Sequence, residues 1–400
     1  MTDNQVVPDL AIRRGCPFAE PDGYDELRNS GPISRVRLGS GKESWAVTSY
    51  HVAREMLASE AMSIDRRHPN FPQLVPGFSK DIGFRASIGD MDPPEHGPAR
   101  RAISGEFAQR RIEAMRPGIQ KMVDELIDAV LAGPKPVDLV PALALPVPTI
   151  LICELLGVPD EDRATFQARS ATMIDLFTSP QDRMAAIGAL LGYIDQLVTD
   201  KENNPTDDLI GRQVQRARAN GEVDHKSLVE LALTLLVAGH ETTANMIALG
   251  VVALLEHPEQ LRMIQREPER MPAAVEELLR YCSILNPVAY RVVKSDITLG
   301  GVRLRAGDAV VALGTSVNRD PEVFENPDRL DIERTEGRHL AFGYGVHLCI
   351  GQHLARVELC VVFETLFRRI PDLRLAVPVE QLSFKSEAIA YGLNSLPVTW

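Results

Sequence analysis

The sequence predicts a mainly α fold with a small β region, built as one domain over residues 1–400. Three observations carry this expectation. Apolar residues recur at helical spacing through most of residues 112–282. Residues 290–313 instead run in short apolar stretches around Gly300-Gly301 and Gly307, as a small sheet with turns does. No Gly/Ser linker, internal repeat or low-complexity run divides the chain.

The elements follow in order. Residues 33–38 and 44–48 read as short strands and 51–58 as a short helix. Residues 63–90 are rich in Pro, Gly and Phe and lack a period, so a long loop of the kind that carries function is expected there. Asp92-Pro93-Pro94-Glu95 reads as a helix start, with Asp92 capping, Pro93 in the first turn and Glu95 at the capping-box position. His96 and Arg100 then share one helix face and offer two donors to an anionic partner. Helices are expected over 112–131, 160–179 and 181–202.

Residues 227–256 give the longest apolar helix, which should be central and buried. Ala238-Gly239-His240-Glu241-Thr242-Thr243 interrupts it. A helical Gly costs about 1 kcal/mol relative to Ala. Thr can bond a carbonyl one turn back and bend the helix. An acid and a hydroxyl in a buried apolar segment also cost desolvation. Three unfavourable features together predict a functional kink; His240 reads as structural. Glu277-Leu278-Leu279-Arg280 places an ion pair on one helix face. Residues 350–369 return to helix and 373–400 to short strands.

Bulk composition bounds the function. Hydrophobic residues make up 44% and charged residues 24%, normal for a soluble globular protein. The net charge of −12 argues against nucleic-acid binding, which needs a basic footprint. The N-terminus Met1-Thr2-Asp3-Asn4-Gln5-Val6-Val7-Pro8 has no basic flank before an apolar core. The most apolar stretch, 231–238, is too short to span a bilayer. A cytoplasmic protein without membrane attachment is expected. The five cysteines are scattered with no C-x-x-C pair, which suits neither a disulfide framework nor a zinc site.

Cys349 is the most informative residue. It lies in Phe342-Gly343-Tyr344-Gly345-Val346-His347-Leu348-Cys349-Ile350-Gly351, directly before a helical pattern. The positive end of that helix favours a thiolate. Glycines let the backbone approach a large flat ligand. Such a thiolate suits axial ligation of haem iron. The other reading of the residues alone is a structural cysteine in a turn.

This loop resembles the haem-binding loop of the cytochrome P-450 family: Phe, Gly, any, Gly, any, His, any, Cys, any, Gly. Every fixed position is filled, and the resemblance covers nearly the whole chain, from about residue 16 to residue 398. It is nearest to soluble actinobacterial members. It implies the cytochrome P-450 fold, with the long central helix over a buried haem b whose iron is ligated by Cys349. Phe342, Gly343 and Gly351 would line the cofactor. His96, Arg100, Arg291 and His347 would contact the haem propionates. Ala238 and Gly239 would leave room for dioxygen, the co-substrate. Glu241 and Thr242 would deliver protons to it. Glu277 and Arg280 would form a structural ion pair, with Arg329 in Pro327-Asp328-Arg329-Leu330 as third partner.

The activity so implied is monooxygenation: hydroxylation or epoxidation of a lipophilic small molecule such as a secondary metabolite, terpenoid, steroid or xenobiotic. Phe84, Ile88, Val237, Ala238, Val288, Ala289 and Ile389 would face the substrate, with Arg66, Arg67, Phe71 and Phe78 near them. A ferredoxin and its NAD(P)H-dependent reductase would supply electrons, docking at Arg101, Arg110, Arg111 and Arg356; a monomer is expected. Two alternatives stand beside this. One is a nitric-oxide reductase on the same fold that takes hydride from NADH, for which Arg66-Arg67-His68 is the only clue. The other is a non-catalytic haem or ligand-binding protein, against which the Glu241–Thr242 pair speaks.

Overall fold

The computed structural model describes residues 7–74, 87–174, 179–221, 223–386, 388 and 390–400. Contacts divide the chain into two units. The first gathers Met1–Gly83, Leu249–Gln352 and Ser383–Asn394, and the second gathers Phe84–Ala248, His353–Leu382 and Ser395–Trp400.

The first unit is built on a five-stranded sheet. Its strands run in the order Ile33–Arg37, Glu43–Val47, Ala309–Ala312, Ala289–Val293 and Met62–Ser63. Ile33 faces Val47 across an antiparallel pair, Trp45 lies beside Val310 in a parallel pair, and Arg291 faces Val310. Side chains alternate between faces along each strand. Val47, Val310, Ala312 and Ala289 therefore join one core with Met56, Phe324 and Leu340. Ala46 and Val311 join another with Tyr24 and Leu74. Both faces are covered, which explains why residues 309–313 read as one apolar run rather than an alternation. Gly300 and Gly301, at φ 55° and 80°, form the two-residue turn of the Ile297–Leu299 and Val302–Leu304 hairpin.

Helix Met271–Cys282 carries the buried ion pair of this unit. Arg280 Nε and Nη2 reach the two Glu277 oxygens at 2.7 and 2.8 Å. Arg280 also donates to the carbonyls of Asn318, Pro327 and Arg329 at 3.0, 2.8 and 3.1 Å. The expected third partner is corrected here. Arg329 is exposed and contributes only its carbonyl, whereas Arg334 Nε lies 3.2 Å from Glu277 Oε2. The chain turns after Arg329, and the Asp331 N–H donating to Glu277 at 2.9 Å brings Arg334 inward.

The second unit is mostly helical: Gln109–Ala132, Pro146–Leu156, Asp160–Ile174, Pro180–Asn203 and Leu209–Ala219 are its main helices before the long one. A small sheet ties Val137–Asp138, Pro397–Thr399 and Arg374–Leu375. The long helix His225–Glu256 contributes residues to both units. Among the described residues it is the one helix long and apolar enough to cross a bilayer, and 72% of its apolar window is buried within the protein, as in a core helix.

The expected helix start at Asp92-Pro93 is also corrected. The helix begins at His96 and runs to Ser104, and Asp92 accepts the His96 N–H through its backbone carbonyl at 3.1 Å.

Two variants test this packing. Glu277→Ala leaves buried guanidinium charge without its carboxylate and should cost about 3–5 kcal/mol; chemical denaturation checks the loss, and little haem-loaded protein should be recovered. Glu358, on helix Gln352–Arg369, is 3% exposed, and its Oε2 has no hydrogen-bond partner among the described residues. Burial pushes its carboxyl up to about 8 from an ordinary 4.5. The folded state then holds a proton that the unfolded chain releases, so stability falls as pH rises through this window, by up to ~1.4 kcal/mol per unit. Urea titrations across the window should show Glu358→Gln gaining on the wild type as pH rises.

Candidate functional site

Glycines shape the cysteine loop. Gly343 and Gly345 both sit at φ 72°, open to glycine at little cost. The Cys349 N–H donates to the Phe342 carbonyl at 2.9 Å and closes the loop. A Cβ on Gly345 would stand 2.7 Å from the Leu57 carbonyl oxygen, so the loop presses directly on helix Tyr50–Ala58. A Cβ on Gly351 would stand 4.0 Å from Cys349 Sγ. Cys349 is exposed and lies just ahead of helix Gln352–Arg369, whose N-terminal dipole favours an anionic sulfur.

The other cysteines differ. Burial pushes Cys153 and Cys282 up to about 12, so both remain thiols at neutral pH, and Cys360 is buried. Only Cys16 is exposed like Cys349 among the described cysteines. No three His, Cys, Asp or Glu side chains gather as a metal cluster among the described residues. A single accessible sulfur in a glycine loop fits an iron already held in a macrocycle, which needs one protein ligand.

The central helix carries one accessible stretch. Leu235 and Leu236 are buried, as is every residue from Thr243 to Val252. Val237 is nevertheless 42% exposed and Ala238 is exposed, while Gly239, Glu241 and Thr242 are half-buried. The pairs 237/241 and 238/242 lie one turn apart, so these side chains form one accessible stripe on an otherwise buried helix. The helix runs through 238–243 without a break. The Thr242 hydroxyl donates to the Ala238 carbonyl at 2.8 Å, the back-bond one turn away that the sequence predicts. Gly239 packs beside Ile152, where a Cβ would lie 3.4 Å from a side-chain methyl. Burial of the flanking turns outweighs the propensity cost. His240 is buried with Nδ1 3.0 Å from the Leu236 carbonyl, a structural histidine.

Four donor residues lie where the sequence places them. His96 is 3% exposed and shares a helix face with half-buried Arg100. Burial, then the charge of Arg100, pulls His96 below the ordinary imidazole range. It is therefore a neutral hydrogen-bonding group at neutral pH, and Arg100 carries the charge. Arg291 is buried on its strand with Nη1 donating to the Tyr290 carbonyl at 2.8 Å. His347 is half-buried at the end of the short Gly345–His347 turn.

The expected substrate-facing residues divide. Ile88 is buried on the Ser87–Gly89 turn, Ala289 belongs to the core of its own unit, and Val288 packs against that core. Phe84, Phe78 and Ile389 lie outside the described residues. Phe71 is buried and stacks on Tyr290 at 6.2 Å between centroids. Arg67 pairs with Asp65 at 2.5 Å, so one of the cations that would draw a dinucleotide is spent locally.

Arg111 also has a local duty. Glu106 is 2% exposed and is approached by Arg212, Arg111 and Arg216 at 2.7, 3.3 and 3.4 Å. That clamp escaped sequence reading because its members lie about a hundred positions apart. Arg101 and Arg110 remain exposed and Arg356 is half-buried.

The thiol loop, the accessible helix stripe and the helical fold define a haem-thiolate oxygenase, and the chain belongs to the cytochrome P-450 family. A sequence profile described as Cytochrome P-450 matches residues 194–371. The chain is 50% identical to cytochrome P-450 MoxA from Nonomuraea recticatena, whose crystal structure superposes with a TM-score of 0.94, covering 98% of each chain. It is 43% identical to a vitamin D3 dihydroxylase of Streptomyces griseolus over 100% of both chains. A mycinamicin VIII C21 methyl hydroxylase from Micromonospora griseorubida, solved with mycinamicin VIII bound, is 40% identical with a TM-score of 0.90, covering 97% of this chain and 98% of that one. The protein is a cytochrome P-450 monooxygenase, an oxidoreductase of a family that uses thiolate-ligated haem.

Thiol chemistry tests the assignment of the exposed sulfur. Iodoacetamide applied to haem-free protein at neutral pH should label Cys349 and Cys16 within minutes and leave Cys153 and Cys282 unlabelled until the chain unfolds; mass spectrometry of the peptides reads the outcome.

Proposed function

We propose that this monooxygenase hydroxylates or epoxidises a lipophilic small molecule, with Cys349 as the thiolate that would hold haem b and Glu241 and Thr242 as the proton-delivery pair. The observation that carries this reading is the accessible stripe of Val237, Ala238, Glu241 and Thr242 on a buried helix. An apolar surface beside an acid and an alcohol is what a water-poor oxidation site needs.

Haem bound to a thiolate supplies dioxygen activation, because the electron-rich sulfur favours O–O cleavage. The remaining work falls to side chains. The Phe342–Gly351 loop presents the Cys349 sulfur, with Gly343 and Gly351 letting the backbone come close to the ring. His96, Arg100, Arg291 and His347 bind the propionates, His96 as a neutral donor and the arginines as charges. Ala238 and Gly239 are small enough to leave space for dioxygen. Thr242 now donates to the Ala238 carbonyl, and rotation about its Cα–Cβ bond turns the same hydroxyl toward dioxygen. Glu241 resupplies the Thr242 hydroxyl from solvent.

The two units act as one haem domain, which relatives matching over the full length support. The exposed Val237 and Ala238 contribute to the choice of substrate. The hydroxylation of vitamin D3 and of mycinamicin VIII named for relatives supports a lipophilic small molecule. Electrons come from a ferredoxin and its NAD(P)H-dependent reductase in the cytoplasm, with exposed Arg101 and Arg110 as docking charges on an acidic protein.

Thr242→Ala tests the proton-delivery role. With a surrogate ferredoxin system, the variant should keep haem and the substrate-induced spectral shift. It should turn most of its NAD(P)H consumption into peroxide rather than product. Coupling equal to the wild type would remove Thr242 from proton delivery.

A further inference from the structure

Helix Tyr50–Ala58 grips the cysteine loop through specific side chains. Arg54 Nη2 donates to the Tyr344 hydroxyl at 2.8 Å. The Arg54 guanidinium carbon also stands 4.5 Å from the centre of the Tyr344 ring. The next loop residue, Gly345, lies so close that a Cβ would meet the Leu57 carbonyl oxygen at 2.7 Å and Ala58 Cα at 3.4 Å. The helix is itself anchored at its start. The Tyr50 N–H donates to Asp320 at 2.7 Å, and the Tyr50 hydroxyl donates to the Arg338 carbonyl at 2.5 Å. An element fixed at one end thus holds the loop at two adjacent residues.

The loop needs such a hold. Gly343 and Gly345 add backbone freedom on the chain leading to Cys349. The cysteine N–H bonds to Phe342, so the segment that carries Tyr344 is the one that orients the sulfur. Arginine suits the task because its planar group donates to the phenol and covers the ring at once, which a lysine ammonium cannot do. The haem-loop pattern leaves position 344 open, and nothing in that pattern reaches residue 54.

We propose that Arg54 is a positioning residue for Cys349, acting through Tyr344 to hold the thiolate in its ligating position. This rests on the reading of Cys349 as the haem ligand. A loop released from helix Tyr50–Ala58 no longer holds the sulfur in one place, because Gly343 and Gly345 leave its backbone free to move.

The test uses the reduced, carbon-monoxide-bound holoenzyme, whose spectrum separates thiolate-ligated from thiol-ligated haem. Arg54→Met and Tyr344→Phe should each shorten the lifetime of the thiolate-ligated complex about two- to ten-fold, the factor one hydrogen bond supplies. The double variant should be no worse than Arg54→Met alone, because that change already removes both the hydrogen bond and the ring contact to Tyr344. Arg54→Lys should recover part of the lifetime. Thermal unfolding followed in parallel should change little. Lifetimes equal to the wild type, additive losses, or losses that merely track unfolding would each overturn the positioning role. A wild-type protein with no thiolate-ligated complex would overturn the Cys349 reading, and the positioning role with it.

Discussion

The buried Glu277–Arg280–Arg334 cluster orders much of the unit that carries the cysteine. Arg280 is 1% exposed and Glu277 4%, so their charges depend on each other, on Arg334 and on nearby backbone. Burying an ion pair is not favourable in itself, and removing one member is worse because the other charge is then stranded. The pair persists because every donor is used. Arg280 binds three carbonyls from the segment between Asn318 and Arg329, and Glu277 accepts from Asp331 and Arg334. Asn318 in turn accepts the Leu340 N–H at 2.7 Å, at the entrance to the cysteine loop. An unbroken line of hydrogen bonds runs from a buried carboxylate to the stretch that presents Cys349.

The central helix resolves a conflict between local preference and tertiary burial. Gly239, Glu241 and Thr242 are poor residues for a buried helix when taken one at a time. The helix stays continuous because its flanks bury leucines and valines fully, Leu236, Leu249, Val252 and Leu254 among them. Thr242 finds a partner inside its own helix. The unfavourable residues mark an accessible stripe on it. A site within a stable helix is held more firmly than one on a loop.

Much of this was legible beforehand where chemistry depends on neighbours in the chain. The cysteine loop, the i,i+4 relation of His96 to Arg100 and the i,i+3 relation of Glu277 to Arg280 are short-range patterns, and all three hold their expected local geometry. Partnerships across long separations were not legible. Arg329 and Arg334 are equally plausible partners by spacing, and only the turn at Asp331 decides between them. The Glu106 clamp needs Arg212 and Arg216 from another helix. The charge state of His96 follows from burial, which a helical wheel does not report.

The linear order of residues by itself determined the class of chemistry. A thiol in a glycine loop before a helix, and an acid beside an alcohol in an apolar helix, carry their meaning through local spacing and residue type. The tertiary structure decided which of those groups is accessible and what holds it. Cys349 is exposed while Cys153 and Cys282 are buried as thiols, Thr242 rests on a backbone carbonyl, and Arg54 reaches across almost three hundred residues to Tyr344. Burial and long-range pairing depend on distances in space, and those come into being only when the chain has packed.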